Sequence, residues 1–153
     1  MQDGAADQKS SFYWLFDNRQ ALVDAALERW ERVETDEVIP RLAAVADPAE
    51  RLRLLVETAF SAGRSGTLAL RLLVDTVNPA ARSVAERVTR KRIASIEEAL
   101  AELGRPADQA RHLAAAYAIY LGTATLNSAS AAPEDTKSYV DTVLESFGVP
   151  ANR

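Results

Sequence analysis

The sequence predicts an all-α protein, a helical bundle of six to seven helices. Three observations predict it. Apolar residues recur at helical spacing, as at Leu22, Val23, Ala26, Leu27, Trp30 and Val33. Helix-start and helix-stop residues punctuate the chain at short intervals: Asp47-Pro48, Asn78-Pro79, Gly104, Pro133 and Gly148. No stretch alternates apolar and polar residues as a half-buried strand does. A chain of 153 residues, 48% apolar and 26% charged, is about one domain with room for a core.

The elements follow in order. Asp17, with Gln20 three residues on, reads as a capping box that opens a long helix to about Ile39. Pro40 is expected to kink or end it. Its acidic residues Asp24, Glu28, Glu31, Glu34 and Glu37 read as a solvated face. "DPAE" at Asp47–Glu50 combines an N-cap, a proline at the first helical position and an early glutamate, so a helix from Pro48 to about Ala62 is expected. "AGRSG" is read as a break. A short helix from about Thr67 to Val77 follows. Asn78 opens a helix to Leu103 that stops at Gly104. Pro106 opens a helix to about Ala131. Pro133 opens the last, which ends at Gly148.

Composition narrows the chemistry. A net charge of −4 argues against a general polyanion binder. The chain has no cysteine, which excludes disulfides and thiolate metal sites. His112 is the only histidine, so neither a transition-metal site nor a catalytic triad has candidates. No enzyme activity, cofactor or metal is expected. No apolar run is long enough for a membrane span. The opening "MQDGAADQ" lacks the basic and apolar regions of a signal peptide, and a cytoplasmic location is expected. The basic run Arg87, Arg90, Lys91 and Arg92 reads as a solvated face.

One segment says more. Four of the chain's ten aromatic residues, Phe12, Tyr13, Trp14 and Phe16, stand within five positions near the start. The pattern Ser11, Phe12, Tyr13, Trp14, Phe16, Arg19, Leu22 resembles the end of the DNA-binding domain of TetR-family transcriptional regulators. Lys9, Ser10 and Ser11 stand at the recognition-helix positions, Tyr13 and Trp14 at the aromatic pair, and Arg19 at the basic residue that opens the connecting helix. The resemblance implies a TetR C-terminal-domain-like bundle and a DNA-contact remnant of Lys9, Ser11, Tyr13, Trp14 and Arg19. It also implies a homodimer that senses a small molecule through the movement of the connecting helix. Residues 1–16 are then a polar leader plus the recognition-helix remnant. Residues 17–153 are the effector-binding and dimerisation domain. A helix-turn-helix needs an earlier bracing helix. "MQDGAADQ" supplies none, so DNA is an expected partner only where an upstream helix-turn-helix exists. The alternative is a dimeric module that sequesters a ligand or binds a partner without DNA.

The last two helices bear on assembly and ligand. The segment His112–Ala132 is apolar nearly all round, which demands burial on more than one side. Ala110, Ala114, Ala118 and Gly122 form a ridge of small side chains at four-residue spacing, which lets another helix approach closely. Val140, Val143, Leu144 and Phe147 form an apolar stripe on the final helix. Together these are the expected dimer interface. Opposite the small ridge lie Gln109, Ala116, Tyr120, Thr123 and Asn127. An apolar face with a few hydrogen-bonding groups suits a small apolar or amphipathic effector. The expected pocket is Ala116, Tyr120, Thr123 and Asn127, walled by Trp30, Phe60, Leu73 and Val77. Asp75, in the last turn of its helix, is expected to pair with Arg82.

Overall fold

In the computed structural model the described residues are 18–61, 63–104, 115, 118–119, 121–123, 125–126 and 135–150. Their secondary structure is helical, with no strand among them. Helix α1, Arg19–Glu31, starts at Asn18, whose side-chain oxygen accepts from the Ala21 amide at 2.9 Å. The start lies one residue beyond the expected Asp17. Gln20 does not reach back to close a box; it donates to Asp24 Oδ1 at 2.8 Å.

Pro40 does not end the helix. The chain passes from α1 into a π-helical turn, Arg32–Asp36, and then into α2, Val38–Ala43. The Glu37 amide donates five residues back to the Arg32 carbonyl at 2.9 Å. Pro40 sits in the first turn of α2. Amides there need no acceptor within the helix, so the missing N–H costs little. Helix α3, Pro48–Ser61, starts as its sequence dictates, with Asp47 Oδ1 taking the Ala49 amide at 3.1 Å.

"AGRSG" is not a break. Helix α4 runs Gly63–Leu73 and takes both glycines in. Each glycine disfavours the helix by about 1 kcal/mol. The packing of Ala69, 2% exposed, against Trp30 and Val88 outweighs that preference. The same helix stops before Val77. Asp75 Oδ1 accepts from the Val77 amide at 2.7 Å and the Asn78 amide at 3.1 Å. Its carboxylate therefore shapes the turn into α5, Pro79–Glu102, and the expected pair with Arg82 does not form. Arg82 binds Glu86 instead. Asn78 caps α5 through the Ala81 amide, and Gly104, at φ 72°, takes the left-handed turn beyond its end.

Residues 115, 118–119, 121–123 and 125–126 are helical. Helix α6, Thr136–Ser146, is capped by Asp135 Oδ1 on the Ser138 amide. It closes on Gly148, φ 70°, with the Val149 amide returning to Leu144 O at 2.9 Å and the Gly148 amide to Glu145 O at 2.8 Å. That paired return satisfies the last carbonyls and turns Val149 into the core at 4% exposure.

Helix α5 is the spine, contacting α1, α2, α3 and α4. Its inward positions Ala81, Ala85, Val88, Arg92, Ser95 and Ala99 step by three and four and so share one face, with Ile96 beside Ser95. Two cores form along it. At the Pro79 end, Trp30, Ala69 and Val88 pack together. At the Glu102 end, Ile96, Ala99 and Leu100 pack against Leu52 and against Val140, Val143, Leu144 and Phe147 of α6. Leu52, Leu100, Leu144 and Phe147 are at most 1% exposed, and burying each contributes about 1.5–3 kcal/mol.

Here the expected assignment of the final stripe is corrected. Val140, Val143, Leu144 and Phe147 face their own subunit's core and are not at a surface a second chain could cover. Periodicity locates an apolar face but does not say what covers it. No helix among the described residues is long and apolar enough to cross a membrane.

Candidate functional site

Where the two cores meet on α5, the packing leaves a cavity of about 100 Å³. Helix α3 gives it Leu52, Leu55, Val56 and Phe60. The far end of α5 gives Ile96, and α6 gives Val143 and Phe147. Val38, Ile39 and Leu42 of α2 form the side nearest the π-turn. The wall is mostly hydrocarbon, with a few polar groups at defined places.

Apart from Thr58, which is exposed, those polar groups fall into three sets. The first is a hydroxyl pair: Thr123 Oγ1 and Tyr139 Oη lie 2.8 Å apart, and Thr123 is 4% exposed. The Tyr139 ring meets Phe60 edge-on, with centroids 4.6 Å apart, which holds the phenol against the wall. The second is Ser95, 8% exposed, on the α5 face of the cavity. Ser61, Thr125 and Thr142 turn their hydroxyls onto the carbonyl four residues earlier. Ser95 does not, and among the described residues no group takes or gives its hydroxyl a hydrogen bond.

The third set is Arg92 with Glu34. Arg92 donates to Thr35 Oγ1 at 3.3 Å and to the Glu34 carbonyl at 3.2 Å, and its guanidinium lies over the Trp30 ring at 5.9 Å. Both Arg92 and Glu34 reach the cavity wall. The π-turn makes this possible. Its wider winding presents Thr35, 1% exposed, and the Glu34 carbonyl to α5.

Next to the cavity, a charge cluster fixes α1 to α5. Glu31, 7% exposed, receives Arg87 Nε at 2.8 Å and Lys91 Nζ at 2.7 Å on Oε1. Lys91 also donates to Asp36 Oδ1 at 2.6 Å. The Arg87 hydrogen bond, helped by Lys91, overcomes burial and holds the Glu31 carboxyl down at about 2. The same contacts raise Arg87 and Lys91 above their ordinary values. The solvated-face readings of Glu31, Arg87, Lys91 and Arg92 are thereby corrected: partners far along the chain take these charges up. Arg90 remains exposed.

Of the expected pocket residues, the structure brings Phe60 and Thr123 to one cavity. Trp30 is buried elsewhere, in the core with Ala69 and Val88. Leu73 is half-buried away from the wall, and Val77, 90% exposed, lies on the turn before α5. Ala116, Tyr120 and Asn127 lie outside the described residues. So do Lys9, Ser11, Tyr13 and Trp14 of the DNA-contact remnant, Ala110 and Ala114 of the interface, and His112. Arg19 is exposed at the start of α1. Ala118 and Gly122 are exposed, and a Cβ on Gly122 would meet no atom within 4 Å. Among the described residues no three acidic, histidine or cysteine side chains converge as metal ligands.

Sequence reasoning missed Ser95, Tyr139, Arg92 and the α2 residues. A signal for Ser95 and Arg92 was present. They are the polar members of the stripe Ala81–Ala85–Val88–Arg92–Ser95–Ala99, where a polar residue on a core face calls for a partner. No protein-family model, curated protein or solved structure matches the chain.

Proposed function

We propose that this protein is a TetR-type regulator that senses a small molecule as a homodimer. The observation that carries the reading is the cavity wall itself. It is shared between the bundle and the continuation of α1, through Glu34, Val38, Ile39 and Leu42. A molecule in the cavity would touch the helix that the resemblance of Ser11–Leu22 assigns as the connection to a DNA reader. Occupancy and the placement of α1 would then be coupled through differential contacts. The exposed stripe Ala118, Gly122 and Leu126, four residues apart, supports assembly through the penultimate helix.

Transcript profiling of the native host with and without the gene tests the regulator. Derepression or loss of a neighbouring transcript by several-fold is expected. An unchanged profile, beside a protein that still binds small molecules, would leave the DNA-independent module. One observation favours that second reading: Arg87 and Lys91 are committed to Glu31 and Asp36 rather than to an outward basic surface.

A further inference from the structure

We infer that the cavity takes a small uncharged ligand, mostly hydrocarbon, that carries one hydroxyl or carbonyl oxygen, and that Ser95 selects it. The inference rests on the small-molecule-sensing reading and names the chemical class.

Size comes first. An apolar cavity of about 150 Å³ accommodates benzene. A cavity of about 100 Å³, two-thirds of that, suits about four non-hydrogen atoms as it stands, and a molecule of about five to seven only as the wall yields. Charge comes second. The apolar side of the cavity, from Leu52 to Phe147, has no counter-ion to offer, and a buried unpaired charge is costly. Arg92 and Glu34, of opposite sign, both line the cavity. The guanidinium already donates to Thr35 and the Glu34 carbonyl and covers Trp30.

The polar handle comes third. A buried hydroxyl without a partner is disfavoured by about 1–3 kcal/mol, and the Ser95 hydroxyl bears that cost at the cavity wall. A hydroxyl both donates and accepts, so either a ligand alcohol or a ligand carbonyl relieves it. The Thr123–Tyr139 pair adds a second point. One hydrogen bond uses one of its two protons, and the other remains for a ligand oxygen.

Calorimetric titration of the purified full chain with phenol, cyclopentanone, toluene and butyrate tests the class, alongside Ser95→Ala. Phenol and cyclopentanone are expected to bind at least about fivefold more tightly than toluene. Ser95→Ala should weaken them by about five- to tenfold and leave toluene unchanged or slightly tighter. Alanine suits the interior of α5, so this variant folds. Equal binding of phenol and toluene to both proteins overturns the role of Ser95 but keeps the sensing reading. Preference for butyrate overturns the uncharged class and likewise keeps sensing. If none of the four binds, the class is wrong. Xenon uptake by NMR then separates the cases: uptake preserves a ligand cavity of another kind, and none removes the sensing reading as well.

Discussion

Glu31 and Arg87 stand fifty-six residues apart in the chain, yet Arg87 Nε meets the Glu31 carboxylate at 2.8 Å and joins α1 to α5. Glu31 is the buried member, while Arg87 and Lys91 keep part of their side chains in water. Breaking the pair strands a buried carboxylate. Arg87→Met is expected to destabilise the fold by about 1–2 kcal/mol, below the cost of a wholly buried pair because Lys91 remains and water reaches the site. Urea denaturation monitored by helix content measures it. A change below about 0.3 kcal/mol would reduce the cluster to a surface decoration.

The same carboxyl sets an acid limit. Its value in the folded protein is lowered from 4.5 to about 2. A depressed carboxyl contributes stability that is fully present above its unfolded value and is lost as pH falls through its folded value. Wild type should therefore exceed Glu31→Gln in stability by a constant margin above about pH 5, and the margin should shrink between about pH 4.5 and pH 2. Denaturation curves of both proteins across that range check the sign. A margin that grows on acidification contradicts the assignment.

Thr123 and Tyr139 form the other polar contact to be tested. Tyr139→Phe leaves the buried Thr123 hydroxyl without this partner and should cost about 1–3 kcal/mol. Adding Thr123→Val removes the orphan and should restore part of the loss. Additive losses in the double variant would mean that the two hydroxyls do not depend on each other.

Assembly is tested by two arginines on one helix. Ala118 is exposed, so Ala118→Arg should leave the subunit folded and abolish the proposed dimer. Thr123, 4% exposed at the cavity, should tolerate no such change, and Thr123→Arg should unfold the protein by burying an unpaired charge. Sedimentation and circular dichroism distinguish the two. A folded dimer carrying Ala118→Arg would place the interface elsewhere.

What was legible in the sequence was local. Asp47, Asn78, Gly104 and Gly148 mark helix ends because capping depends on residues within one turn. The all-helical class follows from the same signals. What was not legible depended on partners distant in sequence. Glu31 lies in an acidic run that looks solvated until Arg87 and Lys91 arrive from α5. Trp30 has the right spacing for a pocket wall, but Ala69 and Val88 reach it first. The α6 stripe is legible as apolar, but its neighbour, the subunit's own core, is not. The glycines of α4 show packing overriding propensity, and Pro40 shows a position overriding a residue type.

The π-turn at Arg32–Asp36 has a consequence for how this helix can change length. A π-turn holds one residue more than the α-helical winding on either side requires. Ordinary deletion from a helix rotates everything beyond it by about 100° and would drag Trp30 or Leu42 off its buried face. Here the surplus is already present. Losing one residue between Trp30 and Leu42 lets the turn relax to α-helical winding with both ends still facing inward. The segment is a built-in slack, a stretch of helix where the protein could shorten by a residue and give up the Thr35 contact to Arg92 while Trp30 and Leu42 keep their buried faces.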